Sequence, residues 1–167
     1  MRALGIDPGS RRTGWGVVEQ AGSRLCHVAS GTIVLDARDA VAPRLARLHA
    51  AIAVLVREWT PDAVALERAF VARNVQSAFR LGETRGAVLA AVAAAGVTLH
   101  EYAPAQVKLA AVGHGGADKD SVGRGVTAML RLGERPAVDA ADALALALCH
   151  LQQAPYLAAL ARAGVRR

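Results

Sequence analysis

The N-terminal segment constrains the fold most, because it contains three strand-like stretches and no helical pattern. An apolar run at residues 3–6 is stopped by an Asp-Pro-Gly-Ser turn at residues 7–10. Residues 14–18 and 25–35 then have the character of two further strands, with turn residues between them. We therefore predict that the chain begins with a three-stranded antiparallel meander.

Beyond residue 40 the pattern changes to strands that alternate with helices. Apolar residues at helical spacing, Leu45, Leu48, Ile52 and Leu55, predict a helix over residues 40–59. The later predicted elements are a strand at 62–67, an Ala-rich helix at 73–95 ended by Gly96, a strand at 97–102, a short helix from Pro104, a Gly-rich loop at 113–116, a helix from Lys119 towards Leu130, and a helix from Val138 to about Leu151. This order predicts an α/β fold: a five-stranded mixed sheet with helices on both faces.

Length and composition narrow the class of protein. A chain of 167 residues fits a single domain spanning residues 1–167, and 53% hydrophobic with only 4% aromatic residues predicts a core of Ala, Val and Leu. The net charge of +6 favours a polyanionic partner such as nucleic acid, although a background rich in Arg would give the same balance.

Targeting and cysteine signals point to a reducing compartment. Cys26 and Cys149 lie outside any zinc-ligand spacing, so we expect two buried thiols and no structural zinc. We see no signal peptide, and the longest apolar stretch, residues 87–95, is shorter than the roughly 20 residues of a membrane helix. We therefore expect a soluble, cytoplasmic protein with no membrane partner.

Two acids close apolar strands. Asp7 follows residues 3–6 and Glu67 follows residues 63–66. Taken alone, Asp7 is explained as well by a turn as by chemistry. If both strands are central in the sheet, however, their ends bring the two carboxylates together. Like charges at such a short distance repel each other unless a cation lies between them.

Two more acids begin the last helix. Asp139 and Asp142 are three residues apart and so share one helix face, although capping alone accounts for one of them. Four acids beside apolar segments in a basic chain predict Mg²⁺, with Mn²⁺ as a substitute. Two such ions about 4 Å apart suit phosphodiester hydrolysis.

Three segments carry a family resemblance. Residues 5–14, 67–74 and 139–150 resemble, in order and spacing, the signature segments of the RuvC family of Holliday junction resolvases. The resemblance implies an RNase H-like fold and a homodimer that makes paired, symmetric nicks in four-way DNA junctions during recombination and repair. It also implies a water nucleophile, a branch-migration motor as partner, and catalytic, metal-binding roles for Asp7, Glu67, Asp139 and Asp142.

Candidate DNA contacts follow from the same comparison and from the basic residues. By resemblance Phe70 stacks on a junction base, although a lone Phe is more often a core residue. Arg outnumbers Lys eighteen to two, and both lysines, Lys108 and Lys119, flank the Gly-rich loop, which predicts a site that needs a compact charge, although two residues could also cluster by chance. The resemblance implies that both are catalytic residues near the phosphate that is cut. Further candidate DNA contacts are Arg11, Arg12, Arg73 and Arg80, each equally explained as a solvated surface charge, and His114, although a loop histidine is more often merely exposed. The loop departs from the family pattern at Gly116 and Ser121.

The sequence leaves three alternatives to a junction resolvase open. The first is another RNase H-like nuclease that acts on RNA or on simpler DNA. The second is a single-domain relative of the actin-like phosphate-binding proteins, whose phosphate loop the segment at residues 5–14 also resembles. The third is a junction-binding protein without activity.

Overall fold

The predicted meander and the strand–helix alternation meet in one five-stranded mixed sheet. The computed structural model describes residues 1–36, 38–68 and 74–163. The strands are β1 (Arg2–Asp7), β2 (Arg12–Ala21), β3 (Arg24–Val34), β4 (Ala63–Glu67) and β5 (Thr98–Tyr102), in the order β3-β2-β1-β4-β5. The β1–β2 and β2–β3 pairs are antiparallel, whereas β1–β4 and β4–β5 are parallel. The predicted mixed sheet is therefore confirmed.

Helices cover both faces of the sheet, as predicted. They are α1 (Val41–Trp59), α2 (Val75–Ala94), α3 (Pro104–Val112), α4 (Lys119–Met129) and α5 (Val138–Arg162). Helices α1 and α2 pack against each other on one face, and α3 and α4 pack around α5 on the other. Two apolar cores result, one on each side of the sheet.

Alternation along β1 and β4 sends large and small side chains to different cores. Leu4 and Ile6 join the α1–α2 core, as do the corresponding large residues of β4. Ala3 and Ala65 lie in the core of α5. Because successive strand residues point to opposite faces, this alternation leaves only small apolar residues of β1 and β4 beneath α5.

Small residues let α5 lie directly on the sheet. A Cβ atom on Gly5 would collide with the main-chain oxygen of Ala143, and one on Gly14 would collide with that of Asp139. A larger residue at either position would lift the helix. The two glycines therefore fix the height of α5 over β1 and β2.

The last helix was predicted too short. It runs to Arg162, not to Leu151, and continues through Pro155. The Ala- and Leu-rich segment beyond Leu151 has high helix propensity, and a single proline removes only one backbone donor. By length and composition Val138–Leu160 could also cross a membrane, contrary to the expectation that no stretch is long enough. Half of this stretch is buried inside the fold, as in a core helix.

Smaller differences concern one strand and one cysteine. Strand β2 spans ten residues, more than the predicted 14–18, because its hydrogen bonds with β3 continue past the apolar part. Cys149 is buried as expected, but Cys26 is only half-buried. Helix α2 begins after Asn74, whose side chain caps it by accepting from the Ser77 amide at 3.2 Å.

Candidate active site

The register of the two central strands brings the first two acids together. In the parallel β1–β4 pair Ile6 lies opposite Leu66, so the next residues, Asp7 and Glu67, leave the same edge of the sheet side by side. Each acid lies two residues after a strand residue that faces α5, namely Gly5 before Asp7 and Ala65 before Glu67, so both acids belong to the same face. Both side chains are half-buried. The adjacency expected from the sequence is confirmed.

Helix α5 adds a third acid to this edge. Asp142, in the first turns of α5, lines one cavity of about 130 Å³ together with Asp7 and Glu67. Lys108 of α3 and Lys119 of α4 line the same cavity. Its other walls are Pro104, Val107, Val122 and Leu146. Three carboxylates and both lysines of the chain thus converge from five separate elements.

Burial and mutual repulsion perturb the acids. The pKa of Asp7 is raised from 3.8 to about 6, first by desolvation and then by the charges of Asp142 and Glu67. The pKa of Glu67 is raised for the same two reasons, desolvation and the charge of Asp142. Lys119 opposes the shift at both acids, and Lys108 opposes it at Glu67. The cavity therefore holds negative charge at an energetic disadvantage.

Lys119 partly balances that charge. Its Nζ lies 3.0 Å from Oδ2 of Asp142, and this hydrogen bond raises the pKa of the lysine. The lysine side chain is 76% exposed, so its ammonium group remains open to solvent on one side. A cation in this position can contact both an acid of the cavity and a ligand arriving from solvent.

Asp139 is placed differently from the other three acids. Its Oδ2 accepts a hydrogen bond from Nε of Arg12 at 2.6 Å, and it is not among the residues that line the cavity. Its charge still raises the pKa of Asp7, although it is the smallest of the contributions. Arg12, predicted as a DNA contact, is engaged here with an acid of the candidate site.

The acids are ligands of the kind that bind divalent cations, but they are not yet arranged as a complete metal site. Their donors are hard carboxylate oxygens, and burial first and neighbouring carboxylates second raise the pKa values of Asp7 and Glu67, a cost that a bound divalent cation would relieve. In the part of the chain that the structure describes, however, no three His, Cys, Asp or Glu side chains are grouped closely enough to hold an ion. Lys119 and Arg12 each hold one of the four acids in an ion pair.

The structure describes three of the other predicted DNA contacts, His114, Arg11 and Arg80. His114 is exposed in the loop between α3 and α4. Arg11 and Arg80 line a second cavity, which none of the four candidate acids lines. Phe70 and Arg73 lie outside the described residues, so the structure says nothing about their predicted roles.

Arg85 of α2 was not anticipated from the sequence. Its Nη1 donates to the main-chain oxygen of Glu67, and its Nη2 forms an ion pair with Glu101 of β5. It therefore ties the end of β4 to α2 and β5. Because arginine is abundant throughout the chain, no local pattern could have singled this one out.

Comparison with known proteins gives a consistent family. Residues 3–150 match the family model described as "Crossover junction endodeoxyribonuclease RuvC". The protein with that name from Sorangium cellulosum is 48% identical over 98% of this chain and 92% of its own length, and that from Rhodospirillum rubrum is 49% identical over 98% of both.

Solved structures agree. The RuvC structure of Thermus thermophilus, 37% identical, superposes with a TM-score of 0.84 over 93% of this chain and 96% of its own. The same protein in complex with Holliday junction substrate, aligned at 34% identity, gives 0.85 with the same coverage. The RNase H-like fold expected from the sequence is thereby confirmed, and the chain belongs to the RuvC family of crossover junction endodeoxyribonucleases.

Proposed function

We propose that this protein resolves four-way DNA junctions by metal-dependent hydrolysis of a phosphodiester in each of two strands. The observation that carries the proposal is the convergence of Asp7, Glu67 and Asp142 with Lys108 and Lys119 in one cavity at the edge of the sheet. The family membership and the Thermus relative, whose structure contains Holliday junction substrate, support the choice of substrate. The family membership and this relative also disfavour two alternatives, a relative of the actin-like phosphate-binding proteins and a junction-binding protein without activity.

The acids of the cavity would hold the metal. Asp7, Glu67 and Asp142 would provide the oxygen ligands. Asp139 would complete the set if its carboxylate released Arg12 and turned towards the cavity. Mg²⁺ is our candidate, with Mn²⁺ as a substitute and two ions per site. When bound, such ions supply an activated water and stabilise charge on the leaving oxygen.

The chain's own residues orient the DNA. Lys119, which is exposed and adjacent to Asp142, is suited to contact the phosphate that is cut. Lys108, half-buried near Glu67, adds positive charge to the same cavity. The apolar side chains Val107, Val122 and Leu146 keep solvent from the inner wall of the cavity, which strengthens these electrostatic contacts.

We further propose that the active form is a homodimer built on α2. Val75 and Phe79 lie one turn apart on α2, and the side chains of both are largely exposed. Gly82 and Gly86 continue the helix with open space where a side chain would stand, so a partner can approach closely. Two sites related by a two-fold axis match the symmetry of a junction. From chain length and cysteine usage we also propose that residues 1–167 act as a single domain in the cytoplasm, and from the family resemblance that they work beside a branch-migration motor.

The test is cleavage of a synthetic four-way junction with Mg²⁺, compared with duplex DNA and an RNA–DNA hybrid of the same sequence. We expect Glu67→Gln and Asp142→Asn to lose cleavage while keeping junction affinity, and a chelator to abolish cleavage by the unaltered protein. Glu58→Gln, which removes an exposed acid on α1, is the matched control and should cut normally. Equal cutting of the hybrid would favour another RNase H-like nuclease, and undiminished cutting by Glu67→Gln would reject the site.

A further inference from the structure

A second cavity lies at the same end of the sheet as the acids, beside α1 and α2. It has a volume of about 280 Å³. Its walls are Ser10 and Arg11 of the β1–β2 loop, Asp39 and Ala40 before α1, Val41 and Arg44 of α1, and Arg80 of α2. Three arginines therefore face one space from three separate parts of the chain.

These arginines have no acidic partners to explain their convergence. Arg11, Arg44 and Arg80 form no ion pair with any residue that the structure describes, and residues 37, 69–73 and 164–167 contain no acidic side chain. Asp39 also lines the cavity, but it pairs with Arg47, which lies outside it. Like charges gathered in this way repel one another, and Asp39, already paired with Arg47, offsets only part of the positive charge; a bound anion would offset the rest.

The β1–β2 loop links this cavity to the candidate active site. Arg11 lies four residues after Asp7, and its main-chain oxygen accepts from the Leu35 amide at 2.8 Å, which fixes the loop against the end of β3. A third cavity, lined by Asp7 and Glu67 with Arg68, Arg85 and other residues, reaches α2 next to Arg80. The two cavities thus meet α2 at consecutive residues, because Leu81 lines one and Arg80 lines the other.

We propose that the Arg11–Arg44–Arg80 cavity binds a backbone phosphate of the junction, on DNA beyond the strand that is cut. The ligand class is a phosphodiester, which guanidinium groups match in geometry and charge. Contacts of this kind fix the register of DNA on a protein without reading sequence. The proposal rests on the proposed function and adds Arg44 to the residues that position the substrate.

The test measures junction binding by fluorescence anisotropy over a range of salt concentrations. A metal chelator is present throughout, so that the junction is bound but not cut. Arg44→Gln should weaken binding by about three- to tenfold at physiological salt and reduce the slope of log affinity against log salt by about 0.9. Arg44→Lys, which keeps the charge, should keep most of that slope. The matched control is Arg57→Gln, which removes an exposed arginine from the other end of α1 and should leave both quantities unchanged.

The outcomes separate this proposal from the proposed function. If the unaltered protein binds and cuts junctions but Arg44→Gln binds as tightly, or Arg57→Gln loses as much, the second phosphate site is rejected and the function stands. If the unaltered protein does not bind junctions, the function itself fails. Inorganic phosphate is titrated against the free protein by calorimetry; saturable binding that Arg44→Gln removes, with unchanged junction affinity, would assign the cavity to a free anion and overturn the proposal.

Discussion

Replacing Asp7 by Asn should make the protein more stable while it removes cleavage. In the folded chain the carboxylate is desolvated and lies beside Asp142 and Glu67, and together these raise its pKa from 3.8 to about 6. An elevated pKa means that the fold disfavours the charged form. Asparagine has nearly the same shape and no charge, so the variant keeps the packing and loses the repulsion.

The size of the effect follows from the shift in the pKa of Asp7. A difference of one pKa unit corresponds to about 1.4 kcal/mol, so a rise from 3.8 to about 6 corresponds to about 3 kcal/mol of lost stability at neutral pH. Below pH 3.8 the group is neutral in both the folded and the unfolded chain, and the penalty is absent. It grows as the pH rises and is complete above about pH 6.

The assay is urea unfolding of the unaltered protein and Asp7→Asn, in chelator, at several pH values. We expect the variant to be more stable by up to about 3 kcal/mol at pH 7, which raises the melting temperature by about 2 to 4 °C per kcal/mol, and to lose this advantage near pH 4. Added Mg²⁺ should stabilise the unaltered protein more than the variant. A variant that is equally or less stable at pH 7 would refute the crowded-carboxylate interpretation.

Other predictions test the packing, the lysine and the buried histidine. Gly14→Ala should lower stability by about 1 to 3 kcal/mol in thermal unfolding because the new Cβ would collide with the main chain of α5, whereas Gly133→Ala, with open space around it, should change little. Lys119→Gln should move the acidic limb of the pH–rate profile for junction cleavage to higher pH, because this lysine lowers the pKa of Asp7; an unmoved limb would contradict that role. His150 is buried, and desolvation lowers its pKa from 6.5 to about 4, so stability should fall by about 3 kcal/mol as the pH drops from 6.5 to 4. An NMR titration in which this imidazole protonates near pH 6.5 would disprove the prediction.

Local patterns were sufficient to place the elements of the fold. Every strand and helix was predicted in the right order, because alternation and helical spacing depend on neighbouring residues. The predicted end of the last helix was wrong, because the high helix propensity of the segment beyond Leu151 outweighed the helix-breaking effect of Pro155. The proximity of Asp7 and Glu67 was also predictable, because the ends of adjacent parallel strands meet at one edge.

The sequence by itself determined the order of elements, the four acids beside apolar segments, and the family resemblance. Only the tertiary structure decided that Asp142 shares the cavity with Asp7 and Glu67 while Asp139 pairs with Arg12, a partner 127 residues away along the chain. The physical reason is that such contacts depend on strand register and on how closely α5 approaches the sheet, which distant residues fix jointly.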